Sequence, residues 1–203
     1  MDNVLKDLAV ALFDTGAIKF GNFTLHSGKK SPIYIDLRIV VTYPDLLRKI
    51  AKAYAATLEN MDFDVLSAYP YAGLPLGVAV SLEMNKPLIY PRKEMKNYGT
   101  GKSIEGIFSV GQKTILIEDL ITSGKSIAEA GAILKAAGLQ CNESIVLIDR
   151  QQGGIQQLAE SGIKVTPIVT LSKILSLLVE AEKISEKQLV KVTKKLGIPT
   201  YSL

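Results

Sequence analysis

The sequence predicts an α/β protein built on a doubly wound parallel sheet. From about residue 61 onward, short apolar runs rich in β-branched residues alternate with stretches in which apolar residues recur every three or four positions. The apolar runs show little alternation with polar residues, which is typical of strands covered by helices on both faces. Right-handed crossovers between successive strands place helices on both faces of such a sheet.

Composition and charge restrict the class of protein. Of the 203 residues, 47% are apolar and 22% are charged, values typical of a globular chain and not of a disordered or collagen-like one. A net charge of +4 is too small to indicate nucleic-acid binding. The apolar runs are far too short to span a membrane, the amino terminus has no signal-peptide pattern, and the single cysteine cannot form an internal disulfide. We therefore expect one domain over residues 1–203, located in the cytoplasm, that binds neither membranes nor nucleic acid.

The amino-terminal part is expected to form two helices and two extended stretches. Apolar spacing predicts a first helix capped by Asp2 and ended by Gly16. Residues 23–38 contain two extended stretches around the turn residues Ser27, Gly28, Ser31 and Pro32. Pro44 begins the second helix.

The alternating part supplies the sheet. We expect its strands at residues 64–68, 87–90, 114–117, 144–148 and 163–170 and its helices at residues 74–83, 125–137 and 155–161. The amphipathic pattern of residues 172–203 predicts two helices that pack on this core.

The clearest chemical signal lies between residues 113 and 126. An apolar strand is followed by Glu118 and Asp119, then by a turn of hydroxyl residues around Gly124, and then by a helix. Such a turn presents free backbone N–H groups and the positive end of the helix dipole, which together bind phosphate. Ionised carboxylates only accept hydrogen bonds, so the pair suits the hydroxyl groups of a ribose 5-phosphate. The alternative is an ordinary acidic strand end beside a capped helix. The patterns of a Walker A loop and of a dinucleotide-binding loop are absent.

This segment, ILIEDLITSGKS, resembles the phosphoribosyl pyrophosphate motif of the type I phosphoribosyltransferases. Four further segments are similar, in order, to motifs of the orotate phosphoribosyltransferase family: FTLHSGKKSPIYIDLR, YPYAGLPLG, PRKEMKNYGTGKSIEG and LIDRQQGG. The resemblance covers roughly residues 20–173. It implies the type I fold with an amino-terminal hood segment and carboxy-terminal helices. It also implies Mg²⁺-dependent transfer of 5-phosphoribosyl from phosphoribosyl pyrophosphate to orotate, in the pathway to UMP.

The resemblance also implies the roles of individual residues. The catalytic set is Lys96, Arg92 and Asp119, and the residues that contact orotate are Thr122, Arg150 and Tyr34. No side chain is assigned as a direct ligand of Mg²⁺. The residues expected to bind phosphoribosyl pyrophosphate are Arg92, Lys93, Lys96, Glu118, Asp119, Leu120, Ile121, Thr122, Ser123, Gly124, Lys125, Ser126, Tyr71, Ala72 and His26.

A basic stretch separates two of the predicted strands. It contains Arg92, Lys93, Lys96 and Lys102 within eleven residues, interleaved with glycines. Taken alone, it fits a solvated surface loop. In the family the corresponding loop closes over pyrophosphate and reaches the neighbouring subunit's site, so the resemblance implies a homodimer that shares the loop from Arg92 to Gly106.

Two positions depart from the family pattern. His26 stands where many members have a substrate-contacting lysine, and Lys29 or Lys30 could compensate for it. Tyr98 stands where many members have a loop histidine, which argues against an acid–base role at that position.

Alternative functions remain open at this point. The chain could transfer phosphoribosyl to another base, or it could be a non-catalytic nucleotide-binding regulator with the same fold. Arg150 favours the carboxylated base orotate, since a guanidinium binds both carboxylate oxygens. Some family members are fused to orotidine 5′-phosphate decarboxylase. The motifs occupy this chain, so we expect that activity on a separate chain.

Overall fold

The fold is organised around a six-stranded sheet. The computed structural model describes residues 2–24, 28, 30–93 and 103–200. The spatial order of the strands is β5-β4-β3-β6-β7-β8, and every neighbouring pair is parallel except the edge pair β4–β5. In chain order these strands are β3 (Val65–Ala68), β4 (Leu88–Pro91), β5 (Ile104–Glu105), β6 (Lys113–Ile121), β7 (Gln140–Asp149) and β8 (Lys164–Thr170).

Helices cover both faces of this sheet, which confirms the predicted fold class. Successive residues of β6 point to opposite faces, so Ile115 and Ile117 join one apolar core while Leu116 joins the other. The first core contains α1 (Asp2–Asp14), α2 (Pro44–Leu58), α3 (Gly73–Met84), α6 (Leu171–Glu180) and α7 (Glu186–Leu196). The second contains α4 (Lys125–Ala136) and α5 (Gly154–Glu160).

A separate antiparallel hairpin forms the hood segment. It pairs β1 (Ile18–Thr24) with β2 (Lys30–Ile35), and Ile18 lies opposite Ile35. A 3-10 helix, Leu37–Thr42, follows directly, and its first turn is capped because Asp36 Oδ1 accepts the Arg38 N–H at 3.1 Å. Two extended stretches were expected here, but the first begins five residues earlier than predicted.

The strand order reverses direction between β3 and β6. From β3 the chain moves to β4 on one side, whereas β6, β7 and β8 follow one another on the other side. In open α/β sheets a crevice forms at the carboxyl ends of the strands where the order reverses. The loops after β3 and β6 are therefore placed to form a binding site.

Two strands are longer than the sequence indicates. The expectation that a strand ends before Glu118 is wrong, because β6 continues to Ile121 with Glu118 and Asp119 inside it. The reason is the partner strand: β7 also continues, and Ile121 lies opposite Asp149. Neither the two-residue β5 nor the 3-10 helix was predicted. Within the described part of the chain, none of the helices has the length and hydropathy needed to cross a membrane.

Candidate active site

A cavity of about 640 Å³ opens at the carboxyl ends of β3 and β6. It is lined by the loop after β3 and by the end of β6 with the loop that follows it. The 3-10 helix, α4 and the segment after β4 contribute further side chains. Its lining residues include most of the predicted phosphoribosyl pyrophosphate site: Tyr71, Ala72, Lys93, Glu118, Asp119, Leu120, Thr122, Ser123, Gly124, Lys125 and Ser126. Ile121 is not among them, because its side chain is buried in the core on the α4 face.

The loop between β6 and α4 has the geometry of an anion site. Gly124 adopts a left-handed conformation (φ +78°), and α4 begins at the next residue. No side-chain hydrogen bond caps this helix among the described residues, so its first N–H groups are available to a ligand. Thr122, Ser123 and Ser126 add hydroxyl groups at the cavity wall. The positive end of the helix dipole thus faces the cavity together with several hydrogen-bond donors.

Close packing against α5 holds this loop in place. A Cβ on Gly154 would lie 2.6 Å from the Thr122 carbonyl oxygen and 3.0 Å from the Gly124 nitrogen. A Cβ on Gly124 would lie 2.8 Å from the Leu158 side chain. Only glycine at both positions allows this approach. The segment LIDRQQGG therefore contributes Gly154 to the site, a role that was not predicted from the sequence.

The carboxylate pair is largely removed from solvent. Glu118 is only 5% exposed, and its Oε1 accepts the Asp119 N–H at 3.2 Å, while Asp119 Oδ1 accepts the Leu120 N–H at 2.8 Å. Burial, followed by the negative charge of Asp119, raises the pKa of Glu118 well above its usual value. Burial also raises the pKa of Asp119, an effect that the charge of Arg38 partly opposes. In their ionised form the two carboxylates accept hydrogen bonds, which a ligand with hydroxyl donors would supply.

Neighbouring elements hold the backbone of this pair. Tyr54 of α2 is fully buried and its hydroxyl donates to the Glu118 carbonyl oxygen at 2.6 Å. Gly73, the first residue of α3, lies so close that a Cβ would be 2.9 Å from Glu118 Oε1. The carboxylates are thus positioned by both neighbouring helices.

The structure describes two cationic residues of the basic stretch, and only one of them lies on the cavity wall. Lys93 lies on the cavity wall, with its Nζ 4.7 Å from the ring centroid of Tyr71, a cation–π contact that joins this stretch to the loop after β3. Arg92 does not line the cavity. Its guanidinium forms an ion pair with Glu105, and its backbone N–H donates to the Ser103 carbonyl oxygen at 2.8 Å. Lys96, the other predicted catalytic cation, lies outside the described residues, as do His26 and Tyr98.

Of the three residues predicted to contact orotate, Thr122 lies on the wall of this cavity, whereas Arg150 and Tyr34 do not. Arg150 follows β7 directly and is buried (8% exposed), and its Nε and Nη2 have no hydrogen-bond partner among the described residues. Burial lowers the pKa of Arg150 from its usual value. The Tyr34 hydroxyl accepts a hydrogen bond from Arg38 Nη2 at 3.1 Å, and its ring contacts that of Phe23.

One cationic residue of the cavity wall was not predicted. Arg38 lines the cavity, although its place at the end of the segment FTLHSGKKSPIYIDLR did not predict a role for it. The signal that could have found it is the i, i+2 pair of Asp36 and Arg38 immediately after a strand, since the carboxylate can hold the guanidinium in one orientation.

The described residues contain no cluster of three or more His, Cys, Asp or Glu side chains placed to hold a metal ion. The adjacent carboxylates of Glu118 and Asp119 nevertheless fit Mg²⁺, because this ion takes one or two protein carboxylates and completes its shell with water and substrate phosphate oxygens.

Comparison with known proteins agrees with this geometry. Residues 39–165, more than half of the chain, match the family described as "Phosphoribosyl transferase domain". The chain is 40% identical over 185 residues to an orotate phosphoribosyltransferase of Chlamydia caviae, covering 90% of both chains. It is 38% identical over 195 residues to uridine 5′-monophosphate synthase of Bos taurus, covering 95% of this chain and 41% of that protein.

A solved structure of Leishmania donovani UMP synthase superposes with a TM-score of 0.87 at 42% identity, over 95% of this chain and 42% of that one. The chain thus spans about two-fifths of the length of both synthases. Fold, site and sequence agree, and the chain belongs to the orotate phosphoribosyltransferase family.

Proposed function

We propose that this chain transfers 5-phosphoribosyl from phosphoribosyl pyrophosphate to orotate, giving orotidine 5′-phosphate and pyrophosphate on the pathway to UMP. The observation that carries the proposal is one cavity in which an uncapped helix N-terminus adjoins a buried carboxylate pair. The helix N-terminus binds the 5-phosphate and the carboxylates accept hydrogen bonds from the ribose hydroxyls.

The reaction replaces one bond at C1 of the ribose by another. The bond from C1 to the pyrophosphate oxygen breaks, and its electron pair leaves with pyrophosphate. N1 of orotate supplies the pair for the new bond, and its proton passes to the departing pyrophosphate or to water. Positive charge develops on the ribose in between, and the carboxylate of Asp119 on the cavity wall, in its ionised form, stabilises this transition state.

Cations complete the proposed machinery. Lys93, together with Arg92 and Lys96, neutralises the leaving pyrophosphate, while Glu118 and Asp119 hold the waters or the ion of a bound Mg²⁺. The ion supplies positive charge to the pyrophosphate oxygens. Arg92 must exchange Glu105 for pyrophosphate to take part, because the ion pair occupies its guanidinium in the structure.

Arg150 is the proposed determinant of the base. A buried guanidinium without a partner is costly, and the orotate carboxylate supplies two acceptors that match its fork. An uncharged base would leave the same cost in place. Thr122 and Tyr34 are proposed as further orotate contacts.

The finer biological setting is proposed on the sequence evidence. We propose a cytoplasmic homodimer that shares the Arg92–Gly106 loop between subunits. Orotidine 5′-phosphate decarboxylase, on a separate chain, is the proposed consumer of the product.

The test is consumption of orotate. Purified protein with phosphoribosyl pyrophosphate, Mg²⁺ and orotate should abolish the ultraviolet band of orotate and release pyrophosphate, whereas parallel mixtures with uracil, adenine or guanine should release none. Pyrophosphate release with one of those bases but not with orotate would refute the assignment.

A further inference from the structure

Arg38 is held in one orientation by its neighbours. Asp36 accepts from its Nε at 2.7 Å and from its Nη2 at 2.9 Å, and Nη2 also donates to the Tyr34 hydroxyl at 3.1 Å. These contacts use three of the five guanidinium N–H groups. Nη1 carries the remaining two and has no partner among the described residues, so one edge of the group is left for a ligand.

This orientation places a fixed cation on the substrate cavity. Arg38 lines the cavity together with Asp119, and its positive charge opposes part of the rise that burial causes in the pKa of that carboxyl, so the two groups are within electrostatic reach. An arginine that is already held in place loses less side-chain entropy when it binds a ligand. Arg48, on α2, shows the contrast: it pairs with Asp45 at 2.8 Å and is equally exposed (62% for each side chain), but it lies away from the cavity.

The surroundings of Arg38 favour the base over the phosphate groups as its ligand. Asp36 balances its charge, which leaves a weak attraction for a multiply charged pyrophosphate but a directional pair of donors for a planar carbonyl or carboxylate. The other group that holds it is the Tyr34 hydroxyl of the hood, and not the loop between β6 and α4 that is proposed to bind the 5-phosphate, which we call the phosphate-binding loop.

We propose that Arg38 is a second base-binding arginine, whose Nη1 edge donates to the orotate ring while Asp36 and Tyr34 hold the guanidinium in place. This proposal rests on the function proposed above. It gives the site two guanidinium groups for the base, one buried at Arg150 and one, that of Arg38, in the 3-10 helix after the hood.

Two ligands separate a base contact from a phosphate contact without catalysis. Orotidine 5′-phosphate and ribose 5-phosphate share the ribose and the phosphate, and only the first carries the base. Calorimetric titration of Arg38→Gln should show about ten- to hundredfold weaker binding of orotidine 5′-phosphate, as expected for loss of a charge-assisted hydrogen bond. Binding of ribose 5-phosphate should stay within about twofold of the wild-type value. The matched control, Arg48→Gln, should leave both affinities unchanged.

Two further variants test how the arginine is held. Tyr34→Phe keeps the ring but removes the acceptor of Nη2, so it should weaken orotidine 5′-phosphate binding less than Arg38→Gln does, again without affecting ribose 5-phosphate. Arg38→Lys keeps the charge but loses the fork, and should restore only part of the affinity.

The outcomes distinguish the two proposals. Equal loss for both ligands, or no loss, in Arg38→Gln would overturn the role of Arg38 while leaving the proposed function intact. A wild-type protein that binds ribose 5-phosphate but not orotidine 5′-phosphate would overturn the orotate assignment, and the role of Arg38 with it.

Discussion

At Arg150 a single buried side chain destabilises the ligand-free protein and is free to bind a ligand. Its guanidinium is buried after β7 with two nitrogens unpartnered among the described residues, and a buried donor without an acceptor costs about 1–3 kcal/mol. A ligand carboxylate removes this cost. The ligand-free protein should therefore be less stable than one in which an apolar side chain fills the same space.

We predict that Arg150→Met stabilises the ligand-free protein by about 1 kcal/mol or more and raises the KM for orotate by at least about tenfold. The KM for phosphoribosyl pyrophosphate should change little. Denaturant unfolding and steady-state kinetics measure these effects. Arg48→Met, which removes an exposed arginine, should change the free energy of unfolding by less than about 0.5 kcal/mol. Destabilisation by Arg150→Met would show that the arginine has a structural role.

The raised pKa of Glu118 predicts that the free energy of unfolding depends on pH. Burial and the charge of Asp119 raise its pKa in the folded chain, so on raising the pH the unfolded chain releases this proton first. Stability is therefore lost as the pH rises from the ordinary glutamate value, about 4.3, through the raised value of the folded chain. Glu118→Gln removes the titration. Its advantage in Tm over the wild type should be smallest near pH 4.5 and should grow toward pH 8.

The control for this series is Glu83→Gln, an exposed glutamate on α3. Its difference from the wild type in Tm should be small at every pH. An advantage of Glu118→Gln that shrinks as the pH rises would contradict the raised pKa.

At the scale of secondary-structure elements, the contact between α5 and the phosphate-binding loop is sensitive to added side-chain volume. We predict that Gly154→Ala weakens binding of ribose 5-phosphate about tenfold or more and destabilises the fold by about 1–3 kcal/mol, because the added Cβ meets backbone atoms of that loop. Calorimetry and thermal unfolding measure the two effects.

Gly131→Ala is the matched control within α4. Its added Cβ would lie 3.0 Å from the end of the flexible Ile163 side chain, which can move. Ala also has the higher helix propensity, by up to about 1 kcal/mol. This variant should bind ribose 5-phosphate normally and unfold at an equal or higher temperature. Similar weakening by both alanines would show that α5 does not position the loop.

The same elements show what the sequence could predict. Apolar runs locate all five long strands of the sheet and the helices between them, because burial on both faces leaves a continuous apolar pattern. Strand ends depend on the partner strand: β6 continues through Glu118 and Asp119 because β7 pairs with it, and no local pattern reports that pairing. Arg38 was missed for a similar reason, since only the folded chain brings its 3-10 helix to a cavity formed by distant loops.

Over the whole molecule, charge placement matters more than net charge. The chain has a surplus of four positive charges, yet the described cavity wall balances Arg38, Lys93 and Lys125 against three carboxylates, those of Glu118, Asp119 and Glu129. A substrate with phosphate and pyrophosphate groups requires further cations. Lys96 and Lys102, which follow Lys93 in the basic stretch and lie outside the described residues, are candidates for these cations. The proposed sharing of this stretch between subunits would make each site depend on two chains.

Mixing two inactive variants tests that dependence. Lys96→Ala lacks a charge of the shared loop, and Arg150→Gln lacks a residue of the receiving site. Random exchange of subunits makes about half of the dimers mixed, and each of these has one site with both changes and one with neither, so about a quarter of wild-type activity should return. A mixture of Asp119→Asn with Arg150→Gln should regain none, because both changes fall in the receiving site and every site of a mixed dimer keeps one of them. No recovery in the first mixture, once subunit exchange is verified by native mass spectrometry, would place each loop over its own subunit's site.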